Sequence, residues 1–286
     1  MTADNTTEGK APPKPNRRRD FKEVEASRNP FDSSSTFRYT QTPHPSWTFG
    51  SGASPLAPSA APPHVAIDPY HPDRPVAFNY KLLISAIIPR PIALLSTRSP
   101  DGTSTNLAPF SYFQLIAHDP PLFVIGFSGP LLDGEPGSAA VKDSLRNLAA
   151  TCECVINIVG EDFVEAANSA SVGAPYGASE WDVSGLTPVY DCETVPRVPR
   201  VREAVFSVEA RLESVREFEG RAGPPGRKTS TMVVLEGTRF WAREDAINEE
   251  RNMLDPKAFE LPRPDFESDV GGAGGLAKLK NKHLAE

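Results

Sequence analysis

A run of hydroxyl and amide side chains between Pro89 and Ser111 is the part of this sequence best suited to binding chemistry. Its hydrogen-bonding members are Ser96, Thr97, Ser104, Thr105, Asn106 and Ser111. Because they fall near the ends of two adjacent predicted strands, we expect them to face one spot. With the guanidinium of Arg90 and the ammonium of Lys142, they form a donor set suited to a phosphomonoester, whose oxygens only accept hydrogen bonds. Ordinary turn and helix-cap chemistry is the alternative explanation.

A predicted β-hairpin positions this run. The IALLST segment has the composition of a strand, and the SPDG segment after it is a turn in which Gly102 supplies a positive φ. A second strand then leads to Asn106. Upstream, NYKLLISAI predicts a helix that ends before Pro89, and downstream KDSLRNLAATCE predicts a helix with Asp143 and Ser144 in its first turn.

The remaining elements predict a mainly β fold. PLFVIGFS and CVINIV are further strands, and VFSVEARLESVREFE and TSTMVVLEGTRFWARE are a long pair joined by a Gly-rich loop. DFVEAANSASV predicts a short helix, and PYGASEWDVSGL a long exposed loop. Six strands interrupted by short helices predict an antiparallel barrel with helical decorations and not an alternating parallel sheet.

Composition divides the chain into three parts. Residues 1–75 are a Pro/Ser-rich arm that we expect to be largely disordered, although its aromatic residues suggest that parts of it lie across the domain or a partner subunit. Residues 76–250 form the predicted domain, and residues 251–286 form a C-terminal tail that ends in a Gly-rich hinge and a short basic segment.

Charge and cysteine content exclude several classes of function. A net charge of −7 argues against a nucleic-acid partner, because phosphate-backbone affinity needs a local excess of Lys and Arg. Three cysteines are too few for a disulfide framework, and no Cys/His set has zinc-ligand spacing. No apolar run approaches the length of a membrane helix, and the polar N-terminus has no signal-peptide core. We therefore expect a cytoplasmic protein without metal or membrane.

The order of the motifs resembles one protein family. The chain contains, in order, PRPIALLST, Asp-Gly, NLAPFSYF, a strand that begins with Pro-Pro, and Lys-Asp-Ser with an Asn three residues after the Ser. This order is similar to that of the flavin reductase-like family with its FMN-binding split barrel. The SEWDVSGLTP and INEERN segments resemble the fungal flavoredoxin-like members. The resemblance covers about Phe21 to Asp265 and implies a six-stranded antiparallel Greek-key split β-barrel with a long extended N-terminal arm.

The resemblance also implies a site. Two segments match those that surround the ribityl phosphate and one edge of the flavin ring in family members, and the Lys-Asp-Ser motif is a further match. Together they give the predicted FMN-binding residues: Arg90, Ser96, Thr97, Asn106, Leu107, Ala108, Pro109, Phe110, Ser111, Lys142, Asp143 and Ser144. The lysine would neutralise phosphate charge. Asp143 and Ser144 have a second interpretation as helix caps, and Phe110 as a core residue. No catalytic side chain is predicted, because the flavin carries the electron transfer.

One expected segment is missing. Family members typically have an Arg-Leu-Gly-Gly-containing stretch after the INEERN-type segment, but here NEERNMLDPKAF runs directly into ELPRPDF. The stretch is expected to pack beside the flavin or the dimer interface, so its loss would reduce turnover more than flavin binding. A shortened C-terminal region and a misplaced splice junction in the translated gene both explain the difference.

The predicted activity is that of an FMN-dependent oxidoreductase that passes electrons from NAD(P)H through FMN to free flavin, a partner or a small substrate. There is no Gly-rich dinucleotide fingerprint, so the nicotinamide would dock transiently over the flavin. The alternatives are a non-catalytic FMN-binding module and a pyridoxamine-phosphate oxidase-like enzyme. The family implies a homodimer.

Overall fold

A computed structural model describes residues 21–32, 38–53, 63–131, 141–173, 175–176 and 178–260. These residues fall into two compact units, residues 21–32 and residues 38–260. The first unit contains one short helix, α1 (Phe21–Ala26). The second contains every other element discussed below. Within these described residues, no helix is long and apolar enough to cross a membrane.

The second unit is built on a seven-stranded antiparallel sheet. In chain order its strands are β1 (Ala93–Arg98), β2 (Thr105–Phe110), β3 (Phe113–His118), β4 (Pro121–Ser128), β5 (Glu153–Ile158), β8 (Phe206–Glu219) and β9 (Lys228–Ala242). Their order in the sheet is β2-β1-β5-β8-β9-β4-β3. Two further strands, β6 (Pro188–Val189) and β7 (Arg200–Val201), form a separate two-stranded sheet. The mainly β, antiparallel fold is confirmed.

The strand count differs from the prediction by one. The sequence predicted six strands, whereas the main sheet has seven because FQLIAH forms β3 at one edge. This strand has little of the alternation that marks a half-buried strand, since Leu115 and Ile116 are both exposed and a bulge interrupts its pairing with β4. Asn106 also lies inside β2 and not after it.

Four helices decorate this sheet: α2 (Val76–Ala86), α3 (Asp143–Thr151), α4 (Val164–Ser169) and α5 (Glu180–Ser184). The first two confirm the predicted helices, and α4 confirms the third with a 3₁₀ turn before it. The fourth corrects a prediction, because α5 was expected to be an exposed loop. Its glycines suggested a loop, but Gly185 follows the helix at φ 68°, the left-handed position that ends many helices.

Two apolar clusters lie on opposite faces of β1 and β2. Leu95 of β1 packs in the larger cluster, to which α3 contributes Leu145 and Leu148. Leu94 of β1 packs on the other face with Leu107 of β2, in a cluster that includes residues of α4 and α5. Because side chains alternate across a strand, successive side chains of this hairpin lie in turn on the face covered by α3 and on the face covered by α5.

The first part of the predicted C-terminal tail packs on the domain. A 3₁₀ turn, Pro256–Phe259, places Phe259 in a buried cluster with Val205 and Ala246. Leu254 also forms an isolated β-bridge with Ile247. Residues 251–260 are therefore structured against the domain, and the rest of the predicted tail lies outside the described residues.

Candidate functional site

The β1–β2 hairpin brings two of the predicted site residues together. Thr97 and Asn106 are direct cross-strand partners, and the pairing continues through Arg98 and Thr105 toward the turn. Gly102 lies in that turn at φ 73°, as the Asp-Gly pair predicted. Thr97 and Asn106 are both buried, so the hairpin carries a hydroxyl and an amide into a partly desolvated position.

Helix α3 lies over this pair and supplies its hydrogen-bond partners. The side chains of Asn106 and Ser144 are bonded at 2.8 Å, and Asn147 Nδ2 donates to Thr97 Oγ1 at 3.2 Å. Ser144 and Asn147 are three residues apart, which places them on one face of the helix. Both are almost fully buried. Ser144 therefore bonds to β2 and does not cap its own helix, and its role in FMN binding stays a prediction.

Two residues from the segment after α4 complete the arrangement. Tyr176 donates its hydroxyl to Asn147 Oδ1 at 2.9 Å. Glu180 of α5 accepts the Leu107 N–H at 3.2 Å. We refer to the connected side chains as the polar network, and its members are Thr97, Asn106, Ser144, Asn147, Tyr176 and Glu180.

The carboxylate of Glu180 determines the orientation of the Asn106 amide. A carboxylate oxygen only accepts hydrogen bonds, so Asn106 Nδ2 faces Glu180 at 3.2 Å and Asn106 Oδ1 accepts from the Ser144 hydroxyl at 2.8 Å. Glu180 thus holds both the side chain of Asn106 and the backbone of Leu107. Glu180 is buried, and from α5 it holds the edge strand β2 in place.

Burial raises the pKa of Glu180 above its ordinary value of 4.5, although the N–H of Leu107 acts in the opposite direction. The folded protein therefore keeps this proton to a higher pH than the unfolded chain does. As the pH rises from 4.5 through the raised pKa, the folded state binds more protons than the unfolded state, so the free energy of unfolding falls.

The Glu180→Gln variant is expected to show a weaker fall in unfolding free energy with rising pH than the wild type. Glutamine keeps an acceptor for the Leu107 N–H but has no charge to desolvate. Urea unfolding at a series of pH values above 4.5 measures the difference, with the exposed Glu213→Gln variant as control. Identical pH profiles for Glu180→Gln and the wild type would contradict this role.

The start of α3 combines a lysine with the positive end of the helix dipole, and Asp143 adds a negative charge in the first turn. Lys142 is the exposed residue that precedes the helix, and its carbonyl accepts the first helical bond from Arg146. The N–H groups of the first turn have no partner within the helix, and the helix dipole places partial positive charge there. Lys142, this helix start and the hydroxyl of Ser144 therefore lie beside one another.

Two predicted site residues lie elsewhere. Arg90 is buried, and its Nη1 donates to the carbonyls of Ile84 and Ile87 at 2.6 Å each, which ties it to the end of α2. Ser96 neighbours Thr97 in β1 and so faces the opposite side, pairing with Leu107. Its hydroxyl is buried without a hydrogen-bond partner among the described residues.

The rest of β2 leads from the polar network to the surface. Leu107 is fully buried, while Ala108, Pro109, Phe110 and Ser111 are half-buried. Phe110 packs against Phe127 with ring centroids 4.6 Å apart, which agrees with the interpretation of Phe110 as a core residue. Asp143, in the first turn of α3, is also half-buried.

Three members of the polar network were absent from the predicted site: Asn147, Tyr176 and Glu180. The helical spacing of Asn147 from Ser144 could have identified it. Glu180 lies 73 residues from Leu107 in the sequence, and no local pattern indicates that contact.

The cysteines form no second site in the part of the chain that the structure describes. Burial raises the pKa of Cys154, and burial followed by the nearby Glu209 carboxylate raises that of Cys192 to about 12. Cys152 is exposed and ends α3 at φ 59°. Neither buried thiol is ionised at neutral pH.

Comparisons with known proteins agree with this architecture. The family model described as flavin reductase like domain matches residues 85–257, more than half of the chain. An uncharacterized protein of Halalkalibacterium halodurans is 40% identical over 148 residues, which are 51% of this chain and 66% of the relative. The alignment thus spans slightly less than two thirds of that relative's length.

Two solved structures are similar. Nitrilotriacetate monooxygenase component B from Bacillus cereus is 26% identical, with a TM-score of 0.61 over 76% of this chain and 100% of that one. A Shewanella frigidimarina protein with a split barrel domain is 17% identical, with a TM-score of 0.52 over 70% of this chain and 94% of that one, and it shows the fold. By its family match and its split-barrel fold, the chain belongs to the flavin reductase-like family.

Proposed function

We propose that the chain binds FMN at the polar network and acts as an FMN-dependent oxidoreductase. The observation that carries this proposal is the meeting of Thr97, Asn106 and Ser144 beside the start of α3 and Lys142. These groups offer hydroxyl donors, helix N–H groups and an ammonium within one small region. A phosphomonoester needs this combination.

The residues present fit the phosphate end of FMN. Ser144 can turn its hydroxyl from Asn106 toward a phosphate oxygen, because a hydroxyl rotates to suit its partner. Lys142 is exposed and has no ion pair with the described residues. The segment from Asn106 to Ser111 then leads away from the phosphate position, and its half-buried side chains form a wall for the rest of the cofactor.

FMN, when bound, supplies the hydride and electron transfer, so no protein nucleophile is needed. The chain's own task is to hold and orient. Lys142 offsets phosphate charge, Asn106 is held by Glu180, and Phe110 is held by Phe127. Membership of the flavin reductase-like family supports a role in passing electrons to flavin, with NADH or NADPH as a transient reductant.

Anaerobic mixing of the FMN-loaded protein with NADH or NADPH tests the activity. We expect the flavin absorbance to bleach faster than that of free FMN under the same conditions. A protein that binds FMN but bleaches no faster than free FMN would instead be a non-catalytic flavin-binding module. A different released cofactor spectrum would indicate a pyridoxamine-phosphate oxidase-like enzyme.

We also propose that the chain is a homodimer. An apolar surface continues from the end of α2 to β3, and its exposed members are Tyr80, Leu83, Ile87, Ile88, Tyr112, Leu115 and Ile116. Burial, followed by the nearby Tyr80, raises the pKa of Tyr112, so Tyr80 of α2 lies near Tyr112, the residue before β3. Such a surface indicates a protein contact.

The Ile116→Lys variant is expected to weaken this dimer, because it places a charge on the apolar edge strand. Sedimentation of the wild type should give twice the chain mass of 31.0 kDa, and the variant should dissociate at a higher concentration. A wild-type protein that sediments as a monomer at all concentrations would contradict the proposal.

A further inference from the structure

The buried guanidinium of Arg90 has one hydrogen-bonding edge without a partner in the described chain. Arg90 is 9% exposed, and its Nη1 donates to the carbonyls of Ile84 and Ile87 at 2.6 Å each. Its Nε is buried with no hydrogen-bond partner among the described residues. Within the same residues, Arg90 forms no ion pair with a carboxylate.

The charge of a buried guanidinium needs a compensating group. Arginine stays protonated in proteins, so its charge cannot be removed by loss of a proton. Buried charged side chains are therefore normally paired with an opposite charge. The two backbone carbonyls occupy Nη1 only, which leaves the edge formed by Nε and Nη2. We call these two atoms the free edge of Arg90. The planar group can bind both oxygens of a carboxylate side by side along such an edge.

Aromatic and aliphatic side chains surround the free edge. Ile87, whose carbonyl accepts from Arg90, has an exposed side chain. Tyr112 is 44% exposed. Burial and then Tyr80 raise the pKa of Tyr112, and the charge of Arg90 acts against them, so Arg90 and Tyr80 both lie near this hydroxyl. A single cation beside apolar side chains suits a ligand that has one anionic group and an apolar body.

The register of the β1–β2 hairpin places Arg90 away from the proposed phosphate position. Ala93 pairs with Phe110 at one end of the hairpin, and Thr97 pairs with Asn106 further along. A strand advances about 3.3 Å per residue, so these two pairs are about 13 Å apart. Arg90 precedes Ala93, at the end where the wall formed by β2 reaches the surface. We call this end the ring end, because the proposed function places the phosphate at the other.

The sequence around Arg90 contains no acidic residue that could pair with it. Residues 76–118 include one acidic residue, Asp101, which lies in the hairpin turn at the opposite end. A two-fold interface brings the same patch of both copies together. The proposed dimer surface of α2 and β3 therefore brings no carboxylate to Arg90 from a second copy. An anion from solution is the occupant that remains.

We propose that the free edge of Arg90 binds the carboxylate of a small organic ligand at the ring end of the proposed FMN position. The apolar body of the ligand packs on Tyr112 and Ile87. The placement beside the flavin ring rests on the proposed function. The contact between Arg90 and the carboxylate does not depend on FMN, so it is tested separately.

Isothermal titration calorimetry of the full FMN-free chain compares benzoate with benzamide, which has a similar shape but no charge. Benzoate should bind about 10- to 100-fold more tightly, because only a carboxylate forms charge-assisted hydrogen bonds with the guanidinium. Benzamide that binds as tightly as benzoate would overturn the proposal. Absence of benzoate binding, as expected if a carboxylate of a second copy occupies the free edge, would also overturn it.

The Arg90→Gln variant removes the charge and keeps an amide donor for the carbonyls at the end of α2. Its preference for benzoate over benzamide should fall by about 10-fold or more. Arg216→Gln makes the same change at an exposed arginine of β8, and it should keep the wild-type preference. An unchanged preference in folded Arg90→Gln would show that the carboxylate binds elsewhere.

Circular dichroism verifies that Arg90→Gln folds, because Arg90 also holds the end of α2. If this variant does not fold, Tyr112→Leu decides the question. Tyr112 is half exposed, so the fold should tolerate its loss. Benzoate should bind about 2- to 10-fold more weakly without the ring. The same benzoate affinity in Tyr112→Leu and the wild type would overturn the proposal.

The FMN-loaded chain tests the position of the ligand. Saturating benzoate should shift the flavin absorbance spectrum, because the ligand lies at the ring end. An unchanged spectrum at saturating benzoate would overturn this placement. Failure of the proposed function is a separate result, since it shows as absence of FMN binding by the wild type. In that case the calorimetry still decides whether Arg90 binds a carboxylate.

Discussion

Replacing Glu209 with alanine is expected to lower the free energy of unfolding by about 2–4 kcal/mol, because several hydrogen bonds to a charged acceptor are lost together. Glu209 is fully buried in β8, and its carboxylate accepts hydrogen bonds from the N–H groups of Glu193, Thr194 and Val195, from the Thr194 hydroxyl and from the indole of Trp241. Alanine would leave the buried N–H of Val195 and the partly buried donors of Thr194 and Trp241 without this acceptor. The carboxylate therefore attaches the segment after β6 to the main sheet.

The pH dependence of this effect distinguishes it from loss of packing. Burial raises the pKa of Glu209, but the hydrogen bonds from Thr194, Trp241 and the neighbouring N–H groups outweigh it and hold the pKa below its usual value. A lowered pKa contributes stability that is present at neutral pH and is lost as the pH falls through the folded-state pKa. The difference between wild type and Glu209→Ala should therefore shrink in acid.

Urea unfolding of three proteins measures the effect: wild type, Glu209→Ala and the exposed control Glu213→Ala. The control should stay within about 0.5 kcal/mol of the wild type. An unfolding free energy of Glu209→Ala within about 1 kcal/mol of the wild type would show that the donors find other partners, since one lost buried hydrogen bond alone has that magnitude.

The Lys142→Ala variant is expected to weaken FMN binding by about 10- to 100-fold, because it removes a charge-assisted contact with the phosphate. Lys142 is exposed, so the fold should tolerate the change. The Lys142→Arg variant keeps the charge and should retain most of the affinity. Lys257→Ala, which removes a lysine from the 3₁₀ turn near the C-terminal end of the described chain, is the control of equal charge.

Titration of each variant with FMN, and separately with riboflavin, gives the sharpest comparison. Riboflavin has no phosphate, so its affinity should be the same in wild type and Lys142→Ala. If Lys142→Ala binds FMN as tightly as the wild type does, the phosphate lies elsewhere.

Local pattern was sufficient to predict the hairpin and part of the site. The Asp-Gly turn predicted the hairpin that carries Thr97 and Asn106, and helical periodicity placed Ser144 in the first turn of α3. Both predictions depend on residues close together in the sequence. The resemblance to the family then indicated the ligand.

The parts that could not be predicted depend on which elements meet. Glu180 reaches Leu107 only because α5 packs on the outer face of β2, and Tyr176 reaches Asn147 from the segment just before that helix. Periodicity indicates on which face of its own element a side chain lies. It does not indicate which other element packs against that face. Strand β3 was missed for a related reason, since its apolar residues remain exposed in one chain and its pattern resembles neither a core strand nor a surface strand.

Titration of the purified chain with FMN, followed by flavin absorbance and fluorescence, tests the central claim most directly. We predict saturation at one FMN per chain, with quenched fluorescence and a shifted absorbance spectrum, and a weaker affinity for riboflavin because it lacks the phosphate. A folded protein, verified by circular dichroism, that leaves both signals of added FMN unchanged would contradict the claim.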